Sequence, residues 1–207
     1  MPTLDEMTTV TDDQSELTMS VLMTPDMANF SGNVHGGTIL KLLDQVAYAC
    51  ASRYSGSYVV TLSVDKVNFK EPIYVGELVT FLASVNHVGR TSMEVGIRVE
   101  AQNIQKRTVR HTNSCYFTMV AVDEHGKPRE VPKLNLDTEW KRCRFEAAEH
   151  RKVLRLQENH NPSCSMYKNF LKRSNRSMVR SFSSPKFNVL FRFSKIISEL
   201  GGECRDN

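Results

Sequence analysis

Residues 32–54 read GNVHGGTILKLLDQVAYACASRY, a polar turn and a pair of glycines that lead directly into a long apolar segment. Apolar residues then recur at helical spacing, which predicts one helix that ends near Tyr54 to Gly56. Apolar residues also fill most other sides of this helix, so we expect it to be buried in a core. Asp44 is the exception, because an acid inside an apolar helix is costly unless it is paired, hydrated or used.

Strand-like segments flank the predicted helix. They lie at Leu17–Met23, Val59–Phe69, Leu78–Val88, Thr91–Ile104 and Thr108–Val122. The last three are joined by short turns, so they are predicted to be antiparallel neighbours, and the first is predicted to be an edge strand. Because the sheet has one apolar face and there is one apolar helix, the expected packing wraps the sheet around the helix, an α+β fold.

The 207 residues are long enough for one domain with extensions. We predict a disordered acidic N-terminus at 1–15, a folded domain at 16–134, a helical extension at 135–161 and a basic tail at 162–207. The extension is predicted from the helical composition of Thr138–Glu158.

Several classes of protein are not expected from the composition. No apolar run reaches the length of a transmembrane helix, and the acidic N-terminus does not have a secretory or mitochondrial pattern. The cysteines are scattered without a CxxC pair, which indicates neither a disulfide framework nor a zinc site. We therefore expect a cytoplasmic protein with free thiols and no metal.

The basic character of the chain belongs to its tail, where residues 162–207 carry nine Lys or Arg and three acids. The simpler interpretation is a disordered, solvated segment. The alternative is contact with a membrane surface, using Phe182, Phe187 and Phe191 among the basic residues. No motif supports nucleic-acid binding, and none is expected.

Several short motifs together resemble the hotdog-fold acyl-CoA thioesterases, in particular YciA-type bacterial enzymes and cytosolic acyl-CoA hydrolases. The first are Asp26–Phe30, the GNVHGGT of 32–38 and the Leu-Leu-Asp of 42–44. The others follow in order at 64–69, 71–73, 75–77, 88–93, 120–123 and 126–128. The resemblance covers roughly residues 17–134.

This resemblance implies a fold, an assembly and two catalytic positions. The central helix is wrapped by an antiparallel sheet, two protomers pair their sheets edge to edge, and hexamers form as trimers of dimers. The catalytic acid of the family corresponds to Asp44, and a second catalytic position corresponds to Asn33. We expect Asn33 of one protomer to face Asp44 of the other.

The residue types in the turn and helix suit thioester hydrolysis. Asp44 can act as general base on water or attack directly. The backbone N–H groups of Gly36 and Gly37 lie at the start of the helix, where they suit an oxyanion, although glycines also simply permit a turn. Asn33 can orient water or the carbonyl or be a turn residue, and His35 is either a base or a structural loop residue.

A hairpin provides the predicted contact with coenzyme A, which would be part of the substrate and not a cofactor. Gly89, Arg90, Thr91 and Ser92 combine a guanidinium, two hydroxyls and a glycine, which suits phosphates. The alternative is a solvated hairpin tip. Lys66 is a weaker candidate for the same role.

The resemblance implies hydrolysis of fatty acyl-CoA to a free fatty acid and CoA. Two alternatives remain open. One is a hotdog dehydratase or hydratase, in which His35 would be essential. The other is an acyl-CoA-binding sensor that releases no thiol.

Overall fold

A computed structural model describes residues 14–159 of the chain. The elements in chain order are β1 (Glu16–Leu22), a short 3-10 turn (Pro25–Met27), α1 (Gly36–Ser55), β2 (Tyr58–Val64), β3 (Leu78–Val88), β4 (Ser92–Asn103), β5 (Thr108–Val122) and α2 (Glu139–Asn159). The basic tail predicted at 162–207, and the predicted N-terminal segment apart from its last two residues, lie outside the described residues. No helix within 14–159 is long and apolar enough to cross a membrane.

The strands form one antiparallel sheet in the order β1-β3-β4-β5-β2. The prediction that β3, β4 and β5 are antiparallel neighbours is confirmed. The prediction that the first strand lies at an edge is also confirmed, because β1 pairs with β3 alone and β2 forms the opposite edge. The sheet therefore joins residues far apart in the sequence at both of its edges.

Helix α1 packs on one face of the sheet and contacts all five strands. Its buried residues are Ile39, Leu43, Val46, Ala47, Cys50 and Ala51. They meet the inward side chains of the strands, including Phe81, Val95 and Phe117. Burying one large apolar side chain of this kind contributes about 1.5–3 kcal/mol, so this face holds the helix in place. The α+β hotdog architecture predicted from the sequence is confirmed.

The expectation that α1 is buried in a core is confirmed for the face that packs on the sheet, whereas its opposite side is exposed in the single chain. Leu40 is 42% exposed and Tyr48 is 40% exposed, and Asp44 lies on the same exposed side of the helix. The physical reason is geometric, since a single sheet covers only one face of a helix. The remaining apolar face is accessible.

Strand β2 is shorter than predicted, because it ends at Val64 and not at Phe69. Its register with β5 shifts between Thr61 and Ser63, and after Val64 the regular ladder stops. The following segment stays beside β5 through separate backbone bonds, such as the 2.9 Å bond from the Asp65 N–H to the Tyr116 carbonyl. Lys66 therefore lies in an exposed loop and not on a strand.

The chain divides into two units, Met1–Arg144 and Phe145–Asn207. The sheet, α1 and the candidate site residues all belong to the first unit. The helix predicted at Thr138–Glu158 is present as α2, which begins in the first unit and continues into the second.

Candidate active site

Asp44 lies on the exposed side of α1 and receives a hydrogen bond from β2. The Thr61 hydroxyl donates to Asp44 Oδ1 at 2.7 Å. Thr61 pairs in register with Met119, which is fully buried, and so belongs to the face of β2 that points toward α1. The bond orients the carboxylate and uses one acceptor site of Oδ1, so Oδ2 and the second lone pair of Oδ1 can still accept a proton from water.

Exposed apolar side chains lie near this carboxylate. Leu40 and Tyr48 lie one turn before and one turn after Asp44 on α1, and Tyr58 of β2 is 62% exposed. The rings of Tyr48 and Tyr58 pack edge to face with centres 5.9 Å apart. We call these three residues the apolar surface. Exposed apolar side chains grouped in this way are typical of a binding or association site.

His35 caps the N-terminus of α1. Its Nδ1 accepts the Gly37 N–H at 3.0 Å, and its carbonyl accepts the Thr38 N–H at 2.9 Å. Because Nδ1 is an acceptor in this bond, Nε2 is the ring nitrogen that can donate. The bond uses the Gly37 N–H, so Gly36 is the glycine whose N–H can still donate to an oxyanion.

The turn before α1 brings two asparagines together. The Asn29 side-chain oxygen accepts the N–H groups of Ser31 at 2.9 Å and Asn33 at 3.2 Å. Asn33 also forms an isolated backbone bridge with Tyr74. Within the described part of the chain, no hydrogen bond joins Asp44 to either asparagine. Within a single protomer, the two predicted catalytic positions are therefore not joined by a hydrogen bond.

The predicted coenzyme A hairpin is a compact turn between β3 and β4. The Gly89 N–H donates to the Ser92 carbonyl at 2.8 Å, and the Thr91 carbonyl accepts from Ala121 at 2.9 Å. A Cβ on Gly89 would lie 3.0 Å from the Ser92 hydroxyl oxygen, so the turn leaves little space for a larger residue. The Arg90 side chain is exposed at the tip, where its guanidinium is accessible to a ligand.

Thr61 was not among the residues predicted from the sequence. A threonine in a strand has no local signal that places it beside a particular residue of a helix. Its role follows only from the packing of β2 against α1. Among residues 14–159, no group of three or more His, Cys, Asp or Glu side chains is arranged to hold a metal ion.

The sequence of this chain is similar to one family model and to several individual proteins. The model of the thioesterase superfamily matches residues 31–108. Protein VdlD of Helicobacter pylori is 55% identical over 145 residues, which are 70% of this chain and 83% of that protein. The mouse cytosolic acyl coenzyme A thioester hydrolase is 37% identical over 141 residues, which are 66% of this chain and 36% of that protein.

Solved structures share the fold. An apo-hexameric acyl-CoA thioesterase superposes with a TM-score of 0.69 at 36% identity, covering 72% of this chain and 95% of the other. The acyl-CoA hydrolase of Staphylococcus aureus, solved with butyryl coenzyme A, superposes with a TM-score of 0.68 at 26% identity, covering 76% and 96%.

Three alanine variants of the Staphylococcus aureus hydrolase have also been solved. They replace an asparagine, an aspartate 15 residues later and a threonine 17 residues after that. Asn29, Asp44 and Thr61 stand at the same spacing in this chain. The fold, the superfamily match and the identity to these relatives agree, and the chain belongs to the hotdog-fold acyl-CoA thioesterases of the thioesterase superfamily.

Proposed function

We propose that this protein hydrolyses fatty acyl-CoA thioesters to a free fatty acid and CoA, with Asp44 as general base or nucleophile. The observation that carries the proposal is the exposed Asp44 carboxylate, oriented by Thr61 and set in the apolar surface. In the general-base route, Asp44 takes a proton from water as the water oxygen attacks the thioester carbon. The C–S bond then breaks, and the protonated Asp44 returns its proton to the sulfur, which leaves as the thiol of CoA.

The second part of the site comes from another copy of the chain. Asp44 lies seven residues after Gly37 in α1, a separation of about 10 Å along the helix axis. Asp44 and Gly37 of the same protomer are therefore too far apart to contact the same atom of a substrate. The apolar surface and the edge strand β2 are both accessible to a partner. We assign the second part of the site to another protomer, whose sheet pairs edge to edge with this one at β2. The resulting homodimers assemble further into a hexamer. The hexameric relative supports this assembly.

Two groups polarise the thioester carbonyl from the partner's side. One is the Gly36 N–H at the N-terminus of α1, where the partial positive charge of the helix favours an oxyanion. The other is the amide of an asparagine in the preceding turn. The resemblance assigns this role to Asn33, while the spacing shared with the Staphylococcus aureus variants supports Asn29. The Asn29 oxygen is used within the turn, which leaves its amino group to donate to the substrate.

The hairpin at 89–92 binds the phosphates of CoA through Arg90 and the hydroxyls of Thr91 and Ser92. Lys66, in its exposed loop, is a second cation for the same phosphates. Replacing Arg90 with Ala tests this assignment against two substrates with the same acyl group. The KM rises for the CoA ester and stays unchanged for the N-acetylcysteamine thioester, which has no phosphate. If KM changes equally for both substrates, the hairpin does not bind the phosphates of CoA.

A thiol-release assay over acyl-CoAs from acetyl to palmitoyl tests the main proposal. The wild-type protein releases CoA thiol, and Asp44→Asn abolishes most of the release. Binding of acyl-CoA without thiol release would instead identify a sensor.

The location and the tail complete the proposal. We place the enzyme in the cytoplasm, which the name of the mouse relative supports. We assign contact with membrane surfaces to the basic tail at 162–207. Removing residues 163–207 therefore leaves hydrolysis of soluble acyl-CoA nearly intact and weakens binding to anionic vesicles. A large loss of activity would show that the tail is part of the folded enzyme.

A further inference from the structure

The Arg110 side chain of β5 forms a polar cluster that the proposed chemistry does not use. It contacts four residues of the segment 71–77, the loop that precedes β3. The guanidinium donates to Glu71 Oε2 at 2.7 Å, to the Pro72 carbonyl at 3.2 Å and to Glu77 Oε1 and Oε2 at 2.8 and 2.9 Å, and its carbon lies 5.4 Å from the centre of the Tyr74 ring. One strand residue thereby holds most of this loop.

The strong link in the cluster joins Arg110 to Glu77. The Glu77 side chain is only 4% exposed and also accepts the Tyr74 N–H at 3.0 Å. A buried carboxylate needs a paired cation. Here one guanidinium nitrogen of Arg110, Nη2, donates to both oxygens of Glu77, while Nη1 donates to Glu71 and Pro72. Glu71 is 46% exposed, so its bond contributes less. Hydrogen bonds with Glu71 and Glu77 raise the pKa of Arg110, which stays charged throughout the working pH range.

The same 71–77 segment contacts the turn that precedes α1. The Val34 N–H donates to the Ile73 carbonyl at 2.8 Å, and Asn33 forms a backbone bridge with Tyr74. Val34 immediately precedes His35, the cap of α1. A continuous set of contacts therefore runs from β5 through the loop to the start of the helix.

We infer that Arg110 is a positioning residue, which holds the 71–77 segment and thereby sets the place of Asn33 and the α1 N-terminus. The inference rests on the proposed function, in which that turn receives the thioester carbonyl. A loop alone has no regular ladder to fix it, whereas Arg110 lies within the regular ladder between β5 and β4, where it pairs with Ala101. Displacement of a reacting group by 1 Å can cost about a hundredfold in rate, so the attachment has a direct effect on turnover.

Kinetics of three variants test the inference. Arg110→Ala lowers kcat about tenfold to a hundredfold with little change in KM. Arg110→Lys keeps the charge but has one nitrogen in place of the two that contact Glu77 and Glu71, so its kcat is intermediate. Added guanidinium ion restores part of the kcat of Arg110→Ala, a response that a general loss of stability would not produce. The matched control is Arg98→Ala, which removes an exposed pair with Glu100 on β4 and leaves kcat unchanged.

Hydrogen exchange tests the same inference without relying on activity. The amides of residues 33–37 exchange faster in Arg110→Ala than in the wild type or Arg98→Ala. Unchanged protection, or a kcat of Arg110→Ala equal to that of Arg98→Ala, overturns the inference. If Arg110→Ala does not fold, Arg110→Lys decides both comparisons. Absence of thiol release by the wild type would contradict the proposed function, while the exchange result would still decide the role of Arg110.

Discussion

The Thr61 hydroxyl donates a 2.7 Å hydrogen bond to Asp44 Oδ1 and so joins the edge strand β2 to the exposed side of α1. The two residues are 17 positions apart, and the bond spans two different elements. It restricts the rotation of the carboxylate about its terminal torsion, which is otherwise broad. The proposed base is therefore pre-oriented before substrate binds.

Replacing Thr61 with Val removes this hydroxyl and keeps the branched shape. We expect kcat to fall about tenfold, because a hydrogen bond to a charged group contributes about 1.5–3 kcal/mol. Thr61→Ser keeps the hydroxyl and is the matched control, with kcat near that of the wild type. Equal kcat values for Thr61→Val and the wild type would show that the bond has no role in turnover.

Variants of Asp44 and His35 distinguish thioester hydrolysis from the dehydratase alternative. Asp44→Asn lowers kcat by about 10²–10⁴, the usual contribution of a general base. His35→Ala removes the α1 cap and costs about 1 kcal/mol of stability, but it changes kcat much less. His35→Asn restores the cap and the stability. Loss of turnover in His35→Ala with retention in Asp44→Asn would mean that the thioesterase assignment is wrong.

The two asparagines of the turn are distinguished by which of their groups form bonds. The described bonds of Asn33 involve its backbone, so they survive Asn33→Ala, whereas Asn29 uses its side chain. We expect Asn29→Asp to keep the turn bonds, remove the amino donor and lower kcat at least about tenfold. If Asn33→Ala lowers kcat more than Asn29→Asp does, then Asn33 is the residue that polarises the thioester carbonyl. Steady-state kinetics with one acyl-CoA decides between them.

The exposed edge strand β2 predicts how assembly affects activity. Leu62→Lys places a charge on β2 and is expected to dissociate the dimer and abolish turnover together. Leu62 is 39% exposed in the chain, and Ile104, in the turn after β4, is 50% exposed and provides the control Ile104→Lys. Light scattering during size-exclusion chromatography measures the assembly. A monomeric Leu62→Lys variant with full activity would contradict the two-protomer site.

Two buried thiols predict a loss of stability at alkaline pH. Burial raises the pKa of Cys50 and Cys115 from the ordinary 9.0 to about 12. Unfolding exposes them, so the unfolded chain ionises first and stability falls as pH rises from 9.0 toward about 12. The free energy of unfolding then drops by up to about 1.4 kcal/mol per pH unit for each thiol. Urea unfolding of Cys50→Ala should show a shallower drop than the wild type, and an identical slope would rule the effect out.

Much of the fold was predictable because its determinants are local. The bounds of β3 and β5 agree with the predicted segments residue for residue, since their alternation and flanking turns are complete. The helix is also found where the glycine pair and apolar spacing predict it. The end of β2 was missed by five residues, because a register shift and loss of pairing with β5 depend on the partner strand.

The sequence pattern alone was sufficient for a sheet packed around one helix, for Asp44 as the outstanding acid and for the turn that precedes it, because periodicity and glycine placement are properties of neighbouring residues. The hotdog class was implied by the resemblance of the short motifs to a known family. Only the tertiary structure revealed that Thr61 orients Asp44, that His35 takes the Gly37 N–H, and that Arg110 holds a loop 33 positions away through Glu77. It also showed that one side of α1 is left uncovered. These relationships depend on how strands cross and pack, and no local pattern encodes a contact between residues that meet only after the sheet has formed.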